Sequence, residues 1–134
     1  MLIAYPTTDE VNRDLATRMA ADWDITLALV SPREPLPDGR FDAVIYDLDY
    51  VPAALRNQIV KRLISSPSQF PVAVHGYNLV ESEIESLYLN GVPVYRRLDR
   101  AVFLSLIVAW RLGQLRAGQA DNDLQRNALS MQLF

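Results

Sequence analysis

The chain has 134 residues, a length that fits one domain of ordinary size. Hydrophobic residues make up 50% and charged residues 22%, so the chain can bury a core, and this composition excludes a disordered protein. It contains no cysteine and 1 histidine, which excludes disulfides, cysteine-ligated zinc, iron–sulfur clusters, thiol catalysis and multi-histidine metal sites. The net charge of -3 argues against a dedicated nucleic-acid surface.

Neither a membrane span nor a secretory signal is expected. The longest strongly apolar run, Ala101 to Trp110, is too short to cross a bilayer. The first residues, Met1 to Pro6, carry no basic region and no cleavage site of a signal peptide. The sequence therefore predicts a mature cytoplasmic protein with no membrane contact.

The first elements alternate between short apolar runs and amphipathic stretches. Leu2–Tyr5 reads as a buried strand, because it is a continuous apolar run closed by a proline. A hydroxyl and carboxylate group at residues 7–10 is typical of a helix start. The helix that follows, about four turns long, has apolar residues every four positions: Val11, Leu15 and Met19.

The next stretch contains two strands and a second helix. Ile25–Val30 and Phe41–Tyr46 are predicted strands, and Val51–Ser65 is a predicted helix. The connection between the two strands, Ser31–Arg40, holds three prolines and a glycine, which cannot sustain a regular helix.

The pattern of strand and helix repeats once more. Phe70–Val74 is a fourth strand, and Ser82–Leu89 is a short helix for which Ser82 is a plausible cap. Val92–Tyr95 is a fifth strand, and its Pro93 suits the edge of a sheet better than the centre.

The chain then ends in a helical region with a predicted break. Asp99 is expected to cap a long helix that continues to about Leu115. Gly113 and Gly118 weaken continuity, so we predict a domain over residues 1–116 and a separate amphipathic helical tail over residues 117–134.

Five strands with helices between them predict a flavodoxin-like, doubly wound, five-stranded parallel sheet with strand order 2-1-3-4-5. The crossover between the second and third strands is shorter than usual and rich in proline. Its helix is therefore expected to be lost or reduced to a turn.

The segment Asp42–Asp47, a strand that ends in an acidic residue, resembles the phosphoacceptor segment of response-regulator receiver domains. The resemblance covers residues 1–116. It implies an acidic pair after the first strand that holds magnesium with the acceptor, a hydroxyl after the fourth strand and a lysine after the fifth.

Most of these functional positions are changed in this chain. Pro6–Thr7 or Thr7–Thr8 stands where the acidic pair is expected, and Asp9 comes too late to replace it. His75 or Gly76 stands at the hydroxyl position. The segment Arg96–Leu98 stands where the lysine is expected, and it contains no lysine. Without the metal and the lysine, charge on a transferring phosphoryl group is not neutralised. The chain is therefore expected to be a pseudo-receiver, not an enzyme, with no cofactor and no bound metal.

The missing acidic pair and the proline-rich connection are similar to the pseudo-receiver of transcription antitermination regulators. That similarity implies a role in transcription regulation, although the RNA-binding module of those proteins has no counterpart in this chain.

The carboxyl ends of the predicted strands define a vestigial phosphoacceptor pocket. Asp47 and Asp49 are either a phosphoacceptor or weak metal site, or a solvated strand end with turn-forming aspartates. His75 is either pH-sensitive and ligand-contacting, or a polar loop residue bonded to backbone. The predicted pocket comprises Thr7, Thr8, Asp9, Asp47, Asp49, His75 and Gly76.

The last helix is apolar nearly all round, so a second surface is expected to cover it. The cover is a dimer partner or another protein, or the tail folded back on its own domain. Arg96–Arg97 is either a solvated rim or a partner contact. The predicted interface, in part by resemblance to receiver dimers, comprises Tyr88, Val94, Tyr95, Arg96, Phe103, Ile107, Trp110, Leu124 and Met131.

The sequence thus favours a non-catalytic signalling module that works by protein–protein interaction. A homodimer and an unidentified regulatory protein partner are expected, and a nucleic-acid partner is not. Two alternatives stay open: a small-molecule-binding domain with a strand-end pocket near Asp47 and His75, and an atypical phosphorylation switch at Asp47.

Overall fold

The computed structural model describes the backbone of residues 1–33, 36, 40–66 and 68–132, and the side chains of these residues as far as residue 118. Five strands form one parallel sheet in the order β2-β1-β3-β4-β5, which confirms the predicted fold. The elements are β1 Leu2–Pro6, α1 Glu10–Asp22, β2 Thr26–Val30, β3 Ala43–Asp47, α2 Ala53–Ser65, β4 Val72–His75, α3 Glu81–Leu89, β5 Val94–Tyr95 and α4 Arg100–Gln132.

Helices cover both faces of the sheet, which gives two hydrophobic cores. Successive side chains of a strand point to opposite faces, so each strand can contribute to both cores. Ile3 and Tyr5 of β1 lie in the first core, and Val74 of β4 lies in the second. The first core is covered by α1 and α4, and the second by α2 and α3. The continuous apolar character of the central strands follows from burial on both faces.

The connection between β2 and β3 contains no helix in its described residues, 31–33, 36 and 40–42, as the sequence predicts. The two-residue strand β5 lies at the edge of the sheet, and this confirms the assignment made from Pro93. The carboxylate of Asp99 accepts a hydrogen bond from the backbone N–H of Ala101 at 2.8 Å, so the predicted cap of the last helix is confirmed.

Two local predictions are wrong. Ser82 does not cap α3; Val80 is the N-cap residue, and the Glu83 carboxylate accepts its backbone N–H at 3.2 Å. The helix break expected at Gly113 and Gly118 is absent, because α4 is continuous from Arg100 to Gln132. A glycine costs a helix about 1 kcal/mol relative to alanine, which lowers its stability without forcing it to end.

The division between a domain at residues 1–116 and a tail at residues 117–134 stays a prediction. Over the part of the chain that the structure describes, no helix is both long enough and apolar enough to cross a membrane.

Candidate functional site

Three neighbouring parallel strands, β1, β3 and β4, end at the same edge of the sheet. The residue after β1 is Thr7, and the last residues of β3 and β4 are Asp47 and His75. The register pairs Asp47 directly with His75. All three side chains are almost completely buried, which is unusual for polar groups and requires that their hydrogen bonds be made inside the protein.

The Asp47 carboxylate is held by four hydrogen bonds. Its Oδ2 accepts the Thr7 hydroxyl at 2.6 Å and the Asn12 amide at 3.4 Å. Its Oδ1 accepts the backbone N–H groups of Asp49 at 3.0 Å and Tyr50 at 3.2 Å. Both carboxylate oxygens are therefore occupied by donors of the chain itself, so Asp47 is not part of a solvated strand end.

The start of α1 completes this network. Thr7 accepts the backbone N–H of Asp9 at 3.1 Å, and its carbonyl accepts the Nε of Arg13 at 3.1 Å. The Asp9 carboxylate caps the helix by accepting the backbone N–H of Asn12 at 2.9 Å. Thr8, which is exposed, donates its hydroxyl to the carbonyl of Tyr50 at 3.1 Å.

His75 is paired with Tyr5 at the base of the edge. The Tyr5 hydroxyl lies 2.7 Å from Nε2 of His75, and the two rings are tilted with centroids 5.7 Å apart. Burial lowers the pKa of His75 in spite of the opposing charge of Asp47, and burial raises the pKa of Tyr5. These directions favour a neutral imidazole whose Nε2 accepts a hydrogen bond from the Tyr5 hydroxyl. The ring of His75 is therefore bonded to a side chain, whereas one of the two interpretations supposed a bond to backbone.

Asp49 closes the outer side of the edge. Its two carboxylate oxygens accept the backbone N–H of Tyr77 at 2.9 and 3.1 Å. Gly76 is buried beneath it, and a Cβ at that position would lie only 3.3 Å from Cβ of Leu48 and 3.4 Å from Oδ1 of Asp49. The absence of a side chain at Gly76 lets the two strand ends approach each other.

The same groups include potential metal ligands. Potential ligand atoms of Asp47, Asp49 and His75 all lie within 4.8 Å of one another. The oxygens of both carboxylates already accept hydrogen bonds from backbone or side-chain donors, however, and the Nε2 of His75 is already paired with Tyr5. A hard ion such as magnesium prefers oxygen ligands in near-octahedral geometry, and this donor set does not fit it.

The structure brings the seven residues of the predicted pocket to this one edge. It also adds residues that the sequence analysis missed, namely Tyr5, Asn12 and Arg13. The positions of Asn12 and Arg13, one turn after the cap Asp9, were a signal that could have identified them. Tyr5 gave no such signal, because it reads simply as a buried strand residue.

A second candidate surface lies on α4. Among the residues of this helix whose side chains are described, four large apolar side chains are exposed: Leu104 by 53%, Val108 by 48%, Leu112 by 46% and Leu115 by 69%. Their spacing of four, four and three residues places them on one face of the helix. We call these four residues the α4 stripe.

The predicted interface is corrected at one position. Phe103 is fully buried and packs edge-on against Trp23 at a centroid distance of 6.2 Å, so it belongs to the core of the monomer. The physical reason is helical phase: Phe103 faces the sheet, and its neighbour Leu104 faces outward.

The other predicted interface residues differ in their exposure. Tyr88 and Arg96 are exposed, and Val94, Tyr95, Ile107 and Trp110 are half-buried. The Tyr88 hydroxyl donates to the carbonyl of Val94 at 3.2 Å. The side chains of Leu124 and Met131 lie outside the described residues, so their participation in an interface stays a prediction.

The geometry is similar to that of solved receiver structures. A response regulator receiver protein from Pseudoalteromonas atlantica is similar with a TM-score of 0.59 at 13% identity, over 85% of this chain and 99% of that chain. The receiver domain of a sensor histidine kinase from Pseudomonas aeruginosa, which holds a magnesium ion in its active-site cleft, is similar with a TM-score of 0.52 at 15% identity, over 81% of this chain and 95% of that chain. The chain is a receiver-like domain in its fold.

A third similar structure extends over the long helix of this receiver-like domain. It is a fusion that contains the trimeric coiled coil of yeast Spc42, with a TM-score of 0.65 at 12% identity, over 99% of this chain and 94% of that chain. By sequence, the chain matches no protein-family model and no curated protein.

Proposed function

We propose that the chain is a pseudo-receiver: a signalling and regulatory module that does not switch by phosphorylation at Asp47 and that acts through protein–protein contacts. One observation carries the proposal. The Asp47 carboxylate is fully buried, and both of its oxygens accept hydrogen bonds from Thr7, Asn12 and two backbone N–H groups. An acceptor must present a free oxygen lone pair in line with the phosphoryl group, and Asp47 has none available.

The surroundings of Asp47 support the same proposal. The receiver from Pseudomonas aeruginosa holds magnesium in its cleft, whereas Thr7 and Thr8 follow β1 here and offer no carboxylate. Asp9, the first acidic residue after β1, is used as the cap of α1. A carboxylate set that does not suit magnesium leaves the negative charge on a transferring phosphoryl group without the metal that would stabilise it.

We propose that the module works by self-association through α4. The helix has 33 residues, a length of about 50 Å, but the residues from 111 to 118 are all exposed. A helix with no packing partner is marginal in water, and an exposed stripe of large apolar residues is typical of an interface. The similarity to a fusion with a trimeric coiled coil also supports oligomerisation along this helix.

The proposed partners and the proposed location of the protein rest on the sequence analysis. We propose a regulatory protein as the partner of the assembled form, a role in transcription regulation in the cytoplasm, and no contact with nucleic acid or membrane, which suits the net charge of -3. We also propose that the chain catalyses no reaction.

The first experiment tests phosphorylation. Amide NMR spectra of the full chain are recorded with magnesium alone and with magnesium and beryllofluoride, which mimics a phosphoryl group, and Asp47→Asn serves as the matched control. We expect no localised shift around Asp47. Shifts at Thr7, Asp49 and Tyr50 that disappear in the control would restore the phosphorylation switch. Shifts with a metal or metabolite alone would favour the strand-end binding site instead.

The second experiment tests self-association by sedimentation velocity. Protein concentrations from about 1 to about 100 μM are used, because this range detects dissociation constants in the micromolar range. We expect an oligomer whose dissociation constant rises at least tenfold in Leu104→Ser/Val108→Ser, because each substitution removes apolar area from the interface. Ala109→Ser, an exposed position on the same helix outside the α4 stripe, should leave the mass unchanged. A wild-type monomer throughout the range would contradict this part of the proposal.

A further inference from the structure

A cavity of about 530 Å³ lies between α2 and the connection that follows β2. Its floor is formed by the face of the sheet that carries Tyr46, and one wall is α2 with Leu55 and Ile59. The opposite wall includes Arg33 of the connection, whose described residues contain no helix. The cavity therefore occupies the space that a crossover helix would fill in a regular doubly wound sheet.

The lining combines apolar walls with a positively charged rim. Leu55, Ile59 and Phe70 contribute apolar surface, and Arg33 and Arg62 are the charged side chains among the described lining residues. No described lining residue is acidic. A ligand that binds here gains burial of apolar atoms from the walls and a charge-assisted hydrogen bond at the rim.

Tyr46 connects these two regions of the cavity. Its ring packs against the second core, and burial raises the pKa of its phenol while the charge of Arg62 opposes that shift. The phenol therefore stays protonated at neutral pH and can donate a hydrogen bond within the cavity that Arg62 also lines. A donor and a cation that line the same cavity are suited to a carboxylate.

We propose that this cavity binds a small amphipathic carboxylic acid, with its apolar chain against α2 and the sheet and its carboxylate between Arg62, Tyr46 and Arg33. The volume lies within the range of small-molecule sites, roughly 300–1,000 Å³, and such sites are mostly apolar with a few polar groups that fix orientation. The two arginines select an anion over a neutral molecule of the same length.

The proposed self-association does not occupy this cavity. The α4 stripe belongs to a helix that packs on the first core, whereas the cavity is bounded by α2 and the second core on the other face of the sheet. A ligand and a second copy of the chain can therefore bind independently, and each proposal can fail without the other.

The test is a titration of the full chain with decanoate, followed by amide NMR, and a parallel titration with decanol as the neutral probe of equal chain length. We expect decanoate to shift the amides around Tyr46, Leu55 and Phe70 and to bind at least five times more tightly than decanol. Arg62→Gln should weaken decanoate binding about five- to tenfold, as expected for the loss of one hydrogen bond of ordinary net strength at an exposed side chain. Lys61→Gln, an equal loss of charge at an exposed position of α2 outside the lining, should change it less than twofold.

A blocking variant provides a second test that does not depend on charge. Gln58 is exposed on α2 and lines the cavity, so Gln58→Trp should fill it and abolish decanoate binding while thermal unfolding shows an intact fold. Three results would overturn the proposal: no decanoate binding, equal binding of decanoate and decanol, or binding that Gln58→Trp leaves unchanged. A change of oligomeric mass in Gln58→Trp would also overturn it, because the cavity would then be covered by a second copy of the chain.

Discussion

The strand-end edge and the outer surface of α4 are organised in opposite ways. At the edge, the polar groups of Thr7, Asp47 and His75 are buried and bonded to neighbours within the chain. On α4, large apolar side chains such as Leu112 and Leu115 lie exposed to solvent. At the edge, the polar groups form hydrogen bonds with one another, whereas the apolar side chains of the α4 stripe are exposed to solvent.

This difference separates the role of each region. A buried network with paired donors and acceptors is rigid, since an unpaired polar group would cost free energy. An exposed apolar stripe gains free energy only when another surface covers it. The edge therefore contributes chiefly to stability, and the exposed stripe makes α4 the surface that we propose for a partner.

The largest expected effect compares the two sides of α4 directly. Phe103→Ala should lower the free energy of unfolding by about 3–5 kcal/mol, because it opens a cavity in the first core beside Trp23. Leu104→Ala, one residue further on the exposed face, should change the stability of the monomer by less than about 0.5 kcal/mol. Urea denaturation at low protein concentration measures both. Equal losses would mean that α4 does not have one buried and one exposed face.

The second effect tests whether the edge is stabilised by its network. Thr7→Val removes the hydroxyl that bonds to Asp47 and should cost about 1–3 kcal/mol, because a buried carboxylate oxygen loses a strong donor. Thr8→Val is the matched control, since the Thr8 hydroxyl bonds to an exposed carbonyl, and it should cost less than about 0.5 kcal/mol. If both variants unfold at the same urea concentration, the buried network contributes nothing measurable.

The third effect is a pH dependence at the same edge. Burial lowers the pKa of His75 below 6.5, so near that pH the unfolded chain binds more protons than the folded one. The free energy of unfolding should therefore fall as the pH is lowered below about 6.5, by no more than about 1.4 kcal/mol per pH unit for this one group. Urea midpoints at pH 7.5 and 5.5 test this in the native chain and in His75→Gln, which should lose the histidine component. An identical decrease in both chains would assign the pH dependence to other groups.

The smallest effect on the monomer sharpens the comparison at α4. Leu115→Ser should leave the unfolding of the isolated monomer within about 0.5 kcal/mol of the wild type, because its side chain is 69% exposed. An associating wild type should become more stable as protein concentration rises, and Leu115→Ser should lose part of that dependence. Gln114→Ser, exposed on the same helix outside the α4 stripe, should retain it. A wild type whose midpoint does not change with concentration would argue against self-association.

Most of the fold follows from local patterns in the sequence. The short apolar runs identify the five strands, and the alternation with helices predicts the parallel order. Three prolines predict a connection without a regular helix after β2, and the described residues of that connection contain none. The errors at Ser82 and at Gly113 arise because capping and glycine preferences are worth about 1 kcal/mol each, so they are easily outweighed.

The candidate site was predictable in position but not in character. The carboxyl ends of parallel strands lie at the same edge of the sheet, so the strands predicted from the sequence indicate which residues lie there. Their burial and mutual bonding cannot be predicted in this way, because the distance from Thr7 to Asp47 spans 40 residues of sequence and depends on register. The pairing of Tyr5 with His75, 70 residues apart, has the same origin.

The sequence by itself determined the order of the elements, the lack of cysteine chemistry and the replacement of the acidic pair by Thr7 and Thr8, because these are properties of composition and of neighbours along the chain. Only the tertiary structure decided that Asp47 is enclosed, that Phe103 is core while Leu104 is surface, and that a cavity remains beside α2. Burial is settled by packing between residues that are distant in sequence, and periodicity along one element constrains it only in part.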